Sequence, residues 1–189
     1  MPASPTPPAE TIAVALREWP ASPVCVGFSG GLDSTVLLHA LASTPGARAG
    51  GLRALHVHHG LHPGADAWAT HCRDACAALG VPLTVMRVAV VADGRGPEAD
   101  ARTARHDAFA GALGEGEAMA LAHHRDDQAE TFLLRALRAS GPDGLAAMPA
   151  WRRCGRGWLW RPLLDVPRAA LLGYARDRGL SWLEDPSNF

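Results

Sequence analysis

Short apolar runs alternate with amphipathic segments over most of the chain. The run Val24-Cys25-Val26-Gly27-Phe28 is continuously apolar, which is typical of a strand buried on both faces of a parallel sheet. Further strands are predicted at 52–57, 83–91 and 118–122. Apolar residues spaced by one helical turn predict helices at 8–19, 34–43, 65–79, 98–113 and 126–139.

Strands that alternate with helices of this length predict an α/β fold, a Rossmann-like parallel sheet with helices on both faces. The pattern changes after Pro149, where 158–160 predicts a short strand and 167–178 a helix with proline in its first turn. The 189 residues suffice for one domain, so we expect a single domain over 1–189 with a flexible, proline-rich lead-in at 1–10. Ligands of such sheets bind beyond the carboxyl ends of the strands, and the residues after the first strand are therefore candidates for a site.

Composition excludes several classes of protein. No apolar run is long enough to span a bilayer, and the N-terminus lacks the basic and apolar regions of a secretory signal. The four cysteines are scattered and suggest no disulfide framework, so we expect a cytoplasmic protein in a reducing compartment. All 18 basic side chains are arginine, which excludes a Walker A loop because that loop needs a lysine.

Positive charge is concentrated toward the C-terminus, although the net charge of the chain is only −1. Three tryptophans lie among the arginines at 152, 153, 156, 161, 168, 176 and 178. Such a mixture is typical of surfaces that contact phosphates and stack on unpaired bases, so 151–189 is a candidate RNA-binding region. A solvated helix with tryptophans packed beneath it explains the pattern equally well, and both interpretations stay open.

The first candidate site is the sequence Ser-Gly-Gly-Leu-Asp-Ser-Thr at 29–35. Gly30 and Gly31 let the backbone turn sharply and approach an anion, and the following helix directs its free N–H groups to the same point. The hydroxyl groups of the loop add further donors. An aspartate beside bound phosphates is explained if Asp33 holds Mg²⁺ that bridges to them. A glycine-rich turn capped by serine or aspartate is the alternative that needs no ligand.

The second candidate site, His-His-Arg-Asp-Asp-Gln-Ala-Glu-Thr at 123–131, lies where a strand ends and a helix begins. Asp126 or Asp127 is placed to cap that helix, but capping explains only one of the acids. Asp127 and Glu130 are three residues apart and share a helical face, so they could bind a cationic substrate or a metal. Each histidine has a solvated or core imidazole as its alternative, and adjacent histidines seldom reach one metal ion.

The loop at 29–35 resembles the PP loop, Ser-Gly-Gly-x-Asp-Ser/Thr, of the N-type ATP pyrophosphatases, which have an adenine nucleotide alpha hydrolase-like fold. Those enzymes cleave ATP between the α and β phosphates, activate a carbonyl oxygen as an adenylate and then admit a nucleophile. The loop alone does not choose among them. His-His-x-Asp-Asp-Gln-x-Glu-Thr resembles the signature of tRNA(Ile)-lysidine synthetases, and the segments 56–61, 97–105, 161–164 and 184–188 agree with that family.

The resemblance implies a set of site residues. The ATP-binding residues would be Ser29, Gly30, Gly31, Leu32, Asp33, Ser34, Thr35, Val57 and His58. The catalytic residues would be Asp33, Arg102, Arg105, Asp127 and Glu130, and the last two would bind free lysine. The candidates for contact with tRNA are Arg152, Arg153 and Arg161. The sequence departs from the family at His106, where a tyrosine is common, and at Gly96-Pro97-Glu98.

The activity implied by the resemblance is ligation of lysine to C2 of the wobble cytidine of tRNA(Ile). It proceeds through an adenylated cytidine and gives lysidine, AMP and pyrophosphate. The expected cofactors are ATP and Mg²⁺. The expected partners are tRNA(Ile) with a CAU anticodon and free L-lysine, with no membrane and with a homodimer as one alternative. The family has further tRNA-binding segments after the catalytic domain, and we expect these to be missing from a chain that stops at Phe189.

Two alternative functions stay open. A tRNA thiolase of the same superfamily would rely on a cysteine pair or cluster, whereas core packing explains Cys72 and Cys76, which are four apart on a predicted helix. A non-catalytic module of another class would bind ATP without turning it over.

Overall fold

The computed structural model describes residues 6–17, 22–60, 63–89, 96–137 and 148–184. Within these ranges the strands are β1 (Val24–Gly27), β2 (Arg53–His58), β3 (Leu83–Arg87), β4 (Ala118–Ala120), β5 (Trp151–Cys154) and β6 (Gly157–Trp160). The helices are α1 (Pro8–Ala15), α2 (Leu32–Ala42), α3 (Pro45–Ala49), α4 (Ala65–Leu79), α5 (Pro97–Ala112), α6 (Arg125–Leu137) and α7 (Arg168–Asp177). None of the described helices has the length and apolar character needed to cross a membrane.

The described strands form one sheet in the order β3-β2-β1-β4-β6-β5. Every neighbouring pair is parallel except β5 and β6, which form an antiparallel hairpin at one edge. The predicted α/β fold is therefore confirmed. The sequence pattern missed β5 and α3, because three of the four residues in β5 are exposed and α3 is a five-residue helix that begins at Pro45.

Several boundaries differ from the predicted ones. Helix α1 begins at Pro8, inside the predicted lead-in, and ends at Ala15 instead of 19. Strand β3 ends at Arg87, and α7 begins one residue after its proline. Helix α4 matches its prediction at both ends, because Gly80 takes the left-handed conformation (φ 62°) that closes a helix. The predicted ends at 91 and 139, and residues 185–188 of the motif segment at 184–188, lie outside the described residues.

The sheet is buried on both faces. Val24 and Val26 of β1 face a large apolar cluster formed with α1, α2, α4 and α7. Cys25, between them, faces a smaller cluster that continues through its strand partner Met119 to Leu159 and is covered by Phe109 of α5. This alternation along the strand is what a central strand of a doubly covered sheet requires.

The position of the crevice follows from the strand order. The chain leaves the carboxyl end of β1 through α2 toward β2 on one side, whereas β4 is the neighbour of β1 on the other side. When the connections that follow two adjacent parallel strands run to opposite sides, a crevice forms between them at the carboxyl ends of the strands. Ligands of open α/β sheets bind in this crevice. The glycine-rich loop (residues 29–35) and the residues after β4 border this crevice.

An ion pair joins β2 and the start of β4 at the opposite edge of the sheet. Arg53 donates from Nε and Nη2 to the two carboxylate oxygens of Glu117, each at 2.7 Å, and the N–H of Gly114 donates to the same carboxylate at 2.8 Å. Burial acts to raise the pKa of Glu117, but these partners outweigh it and the pKa is lowered from its ordinary value. The pair therefore stabilises the fold at the edge away from the crevice.

Gly157→Ala is expected to destabilise the protein. A Cβ at this position of β6 would lie 2.2 Å from the carbonyl oxygen of Glu117, which accepts a hydrogen bond from Trp158 N. We expect the free energy of unfolding, measured by urea denaturation, to fall by about 1–3 kcal/mol. Gly111→Ala is the control, because nothing lies within 4 Å of an added Cβ there and alanine favours the helix. Equal stability of the two variants would contradict this close approach.

Candidate functional site

The glycine-rich loop turns over the side chains of α4. Gly30 is buried with φ at +85°, a conformation that residues with a side chain rarely adopt. A Cβ on Gly30 would also lie 3.0 Å from Sγ of Cys72 and 3.3 Å from Cδ2 of His71. Both the backbone angle and the available space therefore require glycine at the centre of the turn.

The hydroxyl groups of this loop form hydrogen bonds within it. Ser34 Oγ donates to the carbonyl of Gly31 at 3.1 Å and lies 3.0 Å from Ser29 Oγ, and Thr35 Oγ1 donates to the carbonyl of Gly30 at 3.4 Å. Ser29 is exposed, whereas the other two hydroxyl residues are buried. These bonds fix the loop shape, and the predicted contacts of the hydroxyls with ATP stay predictions.

A segment near the C-terminus pairs with the glycine-rich loop. Leu183 N donates to the carbonyl of Gly30 at 2.9 Å, and Leu183 forms an isolated parallel bridge with Gly31. The Leu183 side chain also closes the space around Gly30, with Cδ1 3.4 Å from the Cβ position. Sequence reasoning missed this support, because Trp182-Leu183 carries no local signal that relates it to a loop about 150 residues earlier.

Asp33 lies in the first turn of α2, directly after the glycine-rich turn. Its Oδ1 is buried and has no hydrogen-bond partner among the described residues, while Oδ2 lies 3.7 Å from His124 Nε2. No group of three or more His, Cys, Asp or Glu within the described ranges could hold a metal by itself. An unpaired carboxylate oxygen at a helix start does fit Mg²⁺, which proteins often bind through one or two carboxylates together with substrate phosphates.

His124 joins the second candidate site to the first. The imidazole is buried, with Nδ1 at 3.5 Å from Asp127 Oδ2 and 3.6 Å from Asp126 Oδ2, and with Nε2 facing Asp33. Burial acts to lower the pKa of His124, but these three carboxylates together outweigh it and raise the pKa above 6.5. The imidazole is therefore a cation over a wider pH range than an ordinary histidine.

The acids of α6 have separate structural roles. Asp127 Oδ2 accepts a hydrogen bond from His124 N at 2.8 Å, which is the carboxylate half of a capping box at the start of α6. Asp126 Oδ2 instead accepts from Arg168 N at 2.8 Å, so it caps α7. Asp127 confirms the predicted capping of α6, and Asp126 is corrected to a cap of another helix. Glu130 is exposed one turn later on α6, where its role in binding lysine stays a prediction.

His123 points to the opposite side, toward Arg161. Arg161 is buried, and its Nε donates to His123 Nδ1 at 3.3 Å while Nη1 donates to the carbonyl of Pro149 at 3.0 Å. Burial is the main cause that lowers the pKa of His123 to about 4, and the charge of Arg161 adds to it. The pKa values of two adjacent histidines are thus shifted in opposite directions.

The other predicted site residues contact different neighbours and do not form one group. His58 is buried with Nε2 at 3.2 Å from Asp66 Oδ1, and Arg105 Nε donates to His59 Nε2 at 3.4 Å. Arg152 and Arg153 are exposed neighbours on β5, and the guanidinium of Arg153 lies 4.8 Å from the ring centroid of Trp158. The structure brings Asp33 and Asp127 together around His124, but among the described contacts none joins Val57, His58 or Arg105 directly to them.

Residues 7–189 match the family described as the PP-loop domain. The chain belongs to the PP-loop family. Membership implies a domain that binds ATP, and it agrees with the parallel sheet and the glycine-rich turn after β1. The resemblance that the sequence motifs suggested is therefore confirmed at the level of the family.

Curated relatives of this PP-loop domain include two bacterial proteins named tRNA(Ile)-lysidine synthase. That of Xanthomonas campestris pv. campestris (strain 8004) is 65% identical over 170 residues, which cover 89% of this chain and 39% of the relative. That of Pseudomonas syringae pv. tomato is 57% identical over 176 residues, or 92% of this chain and 39% of the relative. The chain thus spans about two-fifths of the length of these relatives.

Solved structures show the same fold at low sequence identity. The U34-tRNA thiolase from Methanococcus maripaludis with its [4Fe-4S] cluster superposes with a TM-score of 0.76 at 16% identity, covering 95% of this chain and 64% of the other. The NMN synthetase from Francisella tularensis gives 0.55 at 14% identity, covering 94% and 73%. These likenesses support the adenine nucleotide alpha hydrolase-like fold and carry no conclusion about the substrate.

His123 and His124 are expected to titrate on opposite sides of the ordinary histidine range. The contacts of His124 with carboxylates stabilise the fold fully below its unfolded pKa, and this contribution is lost as pH rises through the raised folded pKa. His123 stays neutral down to about pH 4, so its contribution is lost as pH falls from the unfolded pKa toward that value. The pKa values of His123 and His124 can be measured by following their imidazole nitrogen chemical shifts against pH.

Two variants separate the causes of these shifts. Asp33→Asn should lower the pKa of His124 because a neighbouring anion is removed, and it should leave His123 nearly unchanged. Arg161→Met should raise the pKa of His123 because a neighbouring cation is removed. Identical titration of both histidines in the unsubstituted protein would show that the described charge arrangement is wrong.

Proposed function

We propose that this PP-loop domain carries the ATP-dependent chemistry of a tRNA(Ile)-lysidine synthase, which joins lysine to the wobble cytidine of tRNA(Ile) with a CAU anticodon. One observation carries the proposal: His124 links Asp33 of the glycine-rich loop to Asp127 at the start of α6. A ligase of this kind needs adjoining sites for ATP and for an amine, because both must meet the same base. The 65% identity to a protein of that name supports this choice of substrates.

The triphosphate of ATP would lie against the glycine-rich loop. Gly30 allows the sharp backbone turn that brings the loop to the start of α2, and the first N–H groups of α2 would point toward the phosphates. Asp33 would hold Mg²⁺ through its unpaired Oδ1, and the bound ion would neutralise phosphate charge. Protonated His124 offsets the negative charge of Asp33 and Asp127, which reduces their repulsion of the nucleotide.

The proposed reaction has two steps. The O2 of the cytosine attacks the α phosphorus of ATP, the bond to the β phosphate breaks, and pyrophosphate leaves. The amine of lysine then attacks C2 with its electron pair, the bond from C2 to the adenylated oxygen breaks, AMP leaves, and the amine loses a proton. Asp127 and Glu130 would bind the amino groups of lysine through charge-assisted hydrogen bonds. The attacking amine must be neutral, and a carboxylate at this position can receive its proton.

The arginines of α5 and the end of β2 would complete the ATP site. Arg102 is exposed, and Arg105 reaches His59 after β2. We infer that both arginines steady phosphate or the adenylated base. Val57 and His58 lie at the carboxyl end of β2, next to β1, and we infer that they line the adenosine pocket. Lysidine, AMP and pyrophosphate are the products that this assignment requires.

The chemistry of the cysteines disfavours a thiolase, which is the second candidate suggested by the solved tRNA thiolase of the same fold. All four cysteines are buried. Burial raises the pKa of Cys25 and of Cys72 to about 12 and that of Cys76 to about 11, so their thiols stay protonated at neutral pH. Thiolates are the reactive form of cysteine, and sulfur transfer needs that form.

Mass spectrometry of tRNA(Ile) after incubation with the protein, ATP and lysine tests the proposed function. The protein is used both as this chain and as any longer chain that contains it. We expect the wobble cytidine to gain lysine. We expect pyrophosphate release to require tRNA, and its repeated turnover to require lysine as well. Gain of sulfur instead of lysine would favour the thiolase, and ATP binding without pyrophosphate release by the longer chain would favour the non-catalytic module.

Asp127→Asn and Glu130→Gln are expected to raise the KM for lysine and to leave the KM for ATP nearly unchanged. Each variant removes one negative charge, and the amide introduced by Asp127→Asn keeps an oxygen that can accept from His124 N. Loss of a charge-assisted hydrogen bond should raise the KM about 10- to 100-fold. Glu115→Gln, an exposed carboxylate before β4, is the matched control. A KM for lysine equal to that of the control would contradict the assignment.

A further inference from the structure

Three arginines and two histidines converge beside the end of β4, and we call this group the arginine cluster: Arg102, His106, His123, Arg152 and Arg161. Arg152 Nη2 lies 2.9 Å from His106 Nε2, and Arg161 Nε donates to His123 Nδ1 at 3.3 Å. Helix α5 supplies Arg102 and His106, strand β5 supplies Arg152, and the ends of β4 and β6 supply the other two. Helix α5, the residues after β4 and the β5–β6 hairpin thus build one group.

The charges of the arginine cluster are close enough to repel each other. Burial is the main cause that lowers the pKa of Arg161, and the charges of Arg152 and Arg102 lower it further. The pKa of His106 is lowered by burial first and then by Arg152, with a smaller opposing effect of Asp107. Both imidazoles are therefore biased toward the neutral form and can accept hydrogen bonds from the guanidinium groups.

No carboxylate of the described residues forms an ion pair with Arg102, Arg152 or Arg161. Asp107 acts on His106 and Asp127 on His123, and each opposes the lowering of that imidazole's pKa. A buried guanidinium without a negative partner is costly, and Arg161 is only 7% exposed. Burial of the Arg161 charge therefore destabilises the fold, and an anion bound to the arginine cluster would reduce this destabilisation.

The arginine cluster is separate from the glycine-rich loop. His124 faces Asp33 of that loop, whereas His123, the preceding residue, faces Arg161. The two histidines thus divide the crevice into a side with carboxylates and a side with arginines. Arg152 and Arg102 are exposed, so the second side is open to solvent.

We propose that Arg152 and Arg161 bind one phosphate group of the RNA backbone, at a site distinct from the ATP phosphates to which Arg102 is assigned. Guanidinium groups bind phosphate oxygens through their N–H donors, and two of them can share one phosphate. The glycine-rich loop already provides for a triphosphate, while Arg152 stands on the outermost strand, where a polymer can pass. That the RNA is tRNA(Ile) rests on the proposed function.

The proposed phosphate site includes Arg152 but not Arg153, its neighbour on β5. Adjacent residues of a strand point to opposite faces, so Arg152 faces His106 of α5 while Arg153 stacks over Trp158. Arg153 is therefore not part of the arginine cluster. Its predicted contact with tRNA stays a prediction.

Fluorescence anisotropy of labelled tRNA(Ile) at several salt concentrations tests the proposal. Arg152→Met should weaken binding about tenfold and reduce the slope of log affinity against log salt by about one, because one phosphate contact is lost. Arg152→Lys keeps the charge without the paired donors, so it should keep most of the slope and lose part of the affinity. Arg156→Met, at the exposed tip of the same hairpin, is the matched control. An RNA hairpin of unrelated sequence should show the same loss, since phosphate contacts carry no sequence information.

Titration with inorganic phosphate tests whether the arginine cluster binds a free phosphate as well as a phosphate of RNA. Imidazole shifts of His106 and His123 should respond weakly to phosphate in the unsubstituted protein and not in Arg152→Met. Equal effects of Arg152→Met and Arg156→Met on RNA binding would overturn the proposal, because they would indicate only a general positive field. Loss of the phosphate response with unchanged RNA affinity would also overturn it. Arg152-dependent RNA binding by a longer chain that incorporates no lysine would retain the phosphate site and refute the proposed lysidine synthase activity.

Discussion

The contact of His124 with Asp33 and Asp127 is the interaction around which the site is built. It joins the loop after β1 to the helix after β4, which are about 90 residues apart in sequence and meet only because their strands are adjacent. Without the imidazole, two carboxylates would approach each other across the crevice and repel. With it, a positive charge lies between the two acids, near a site that must also accept phosphates.

The glycine-rich loop depends on further contacts from distant parts of the chain. Gly30 packs over Cys72 of α4, and its carbonyl accepts the N–H of Leu183. Asp126 connects the start of α6 to α7 in the same way, through the N–H of Arg168. The backbone at the carboxyl edge of the sheet is therefore held in place before any ligand binds, which is the condition for positioning reactants precisely.

Carboxylates and guanidinium groups lie on opposite sides of the two histidines that follow β4. His124 and the acids of α6 form one side of the crevice, and His123 with Arg161 forms the other. Burial acts to lower the pKa of both imidazoles. The carboxylates around His124 outweigh it, whereas the guanidinium charges near His123 add to it, so the two pKa values shift in opposite directions. The proposed lysidine synthase reaction, which brings an amine and polyanions into one crevice, would benefit from such a separation.

The sequence by itself determined the parallel sheet, the glycine-rich turn after β1 and a carboxylate cap on α6 from Asp126 or Asp127, because continuous apolar strands, glycine conformation and helix capping are local properties. Only the tertiary structure decided that β5 closes one edge, that Asp126 caps α7, and that Leu183 supports Gly30. It also decided that Arg161 is buried beside His123, although the sequence presents Arg161 like the other arginines of its segment. These contacts join residues that are far apart in the chain, and no local pattern records which strands the fold makes neighbours.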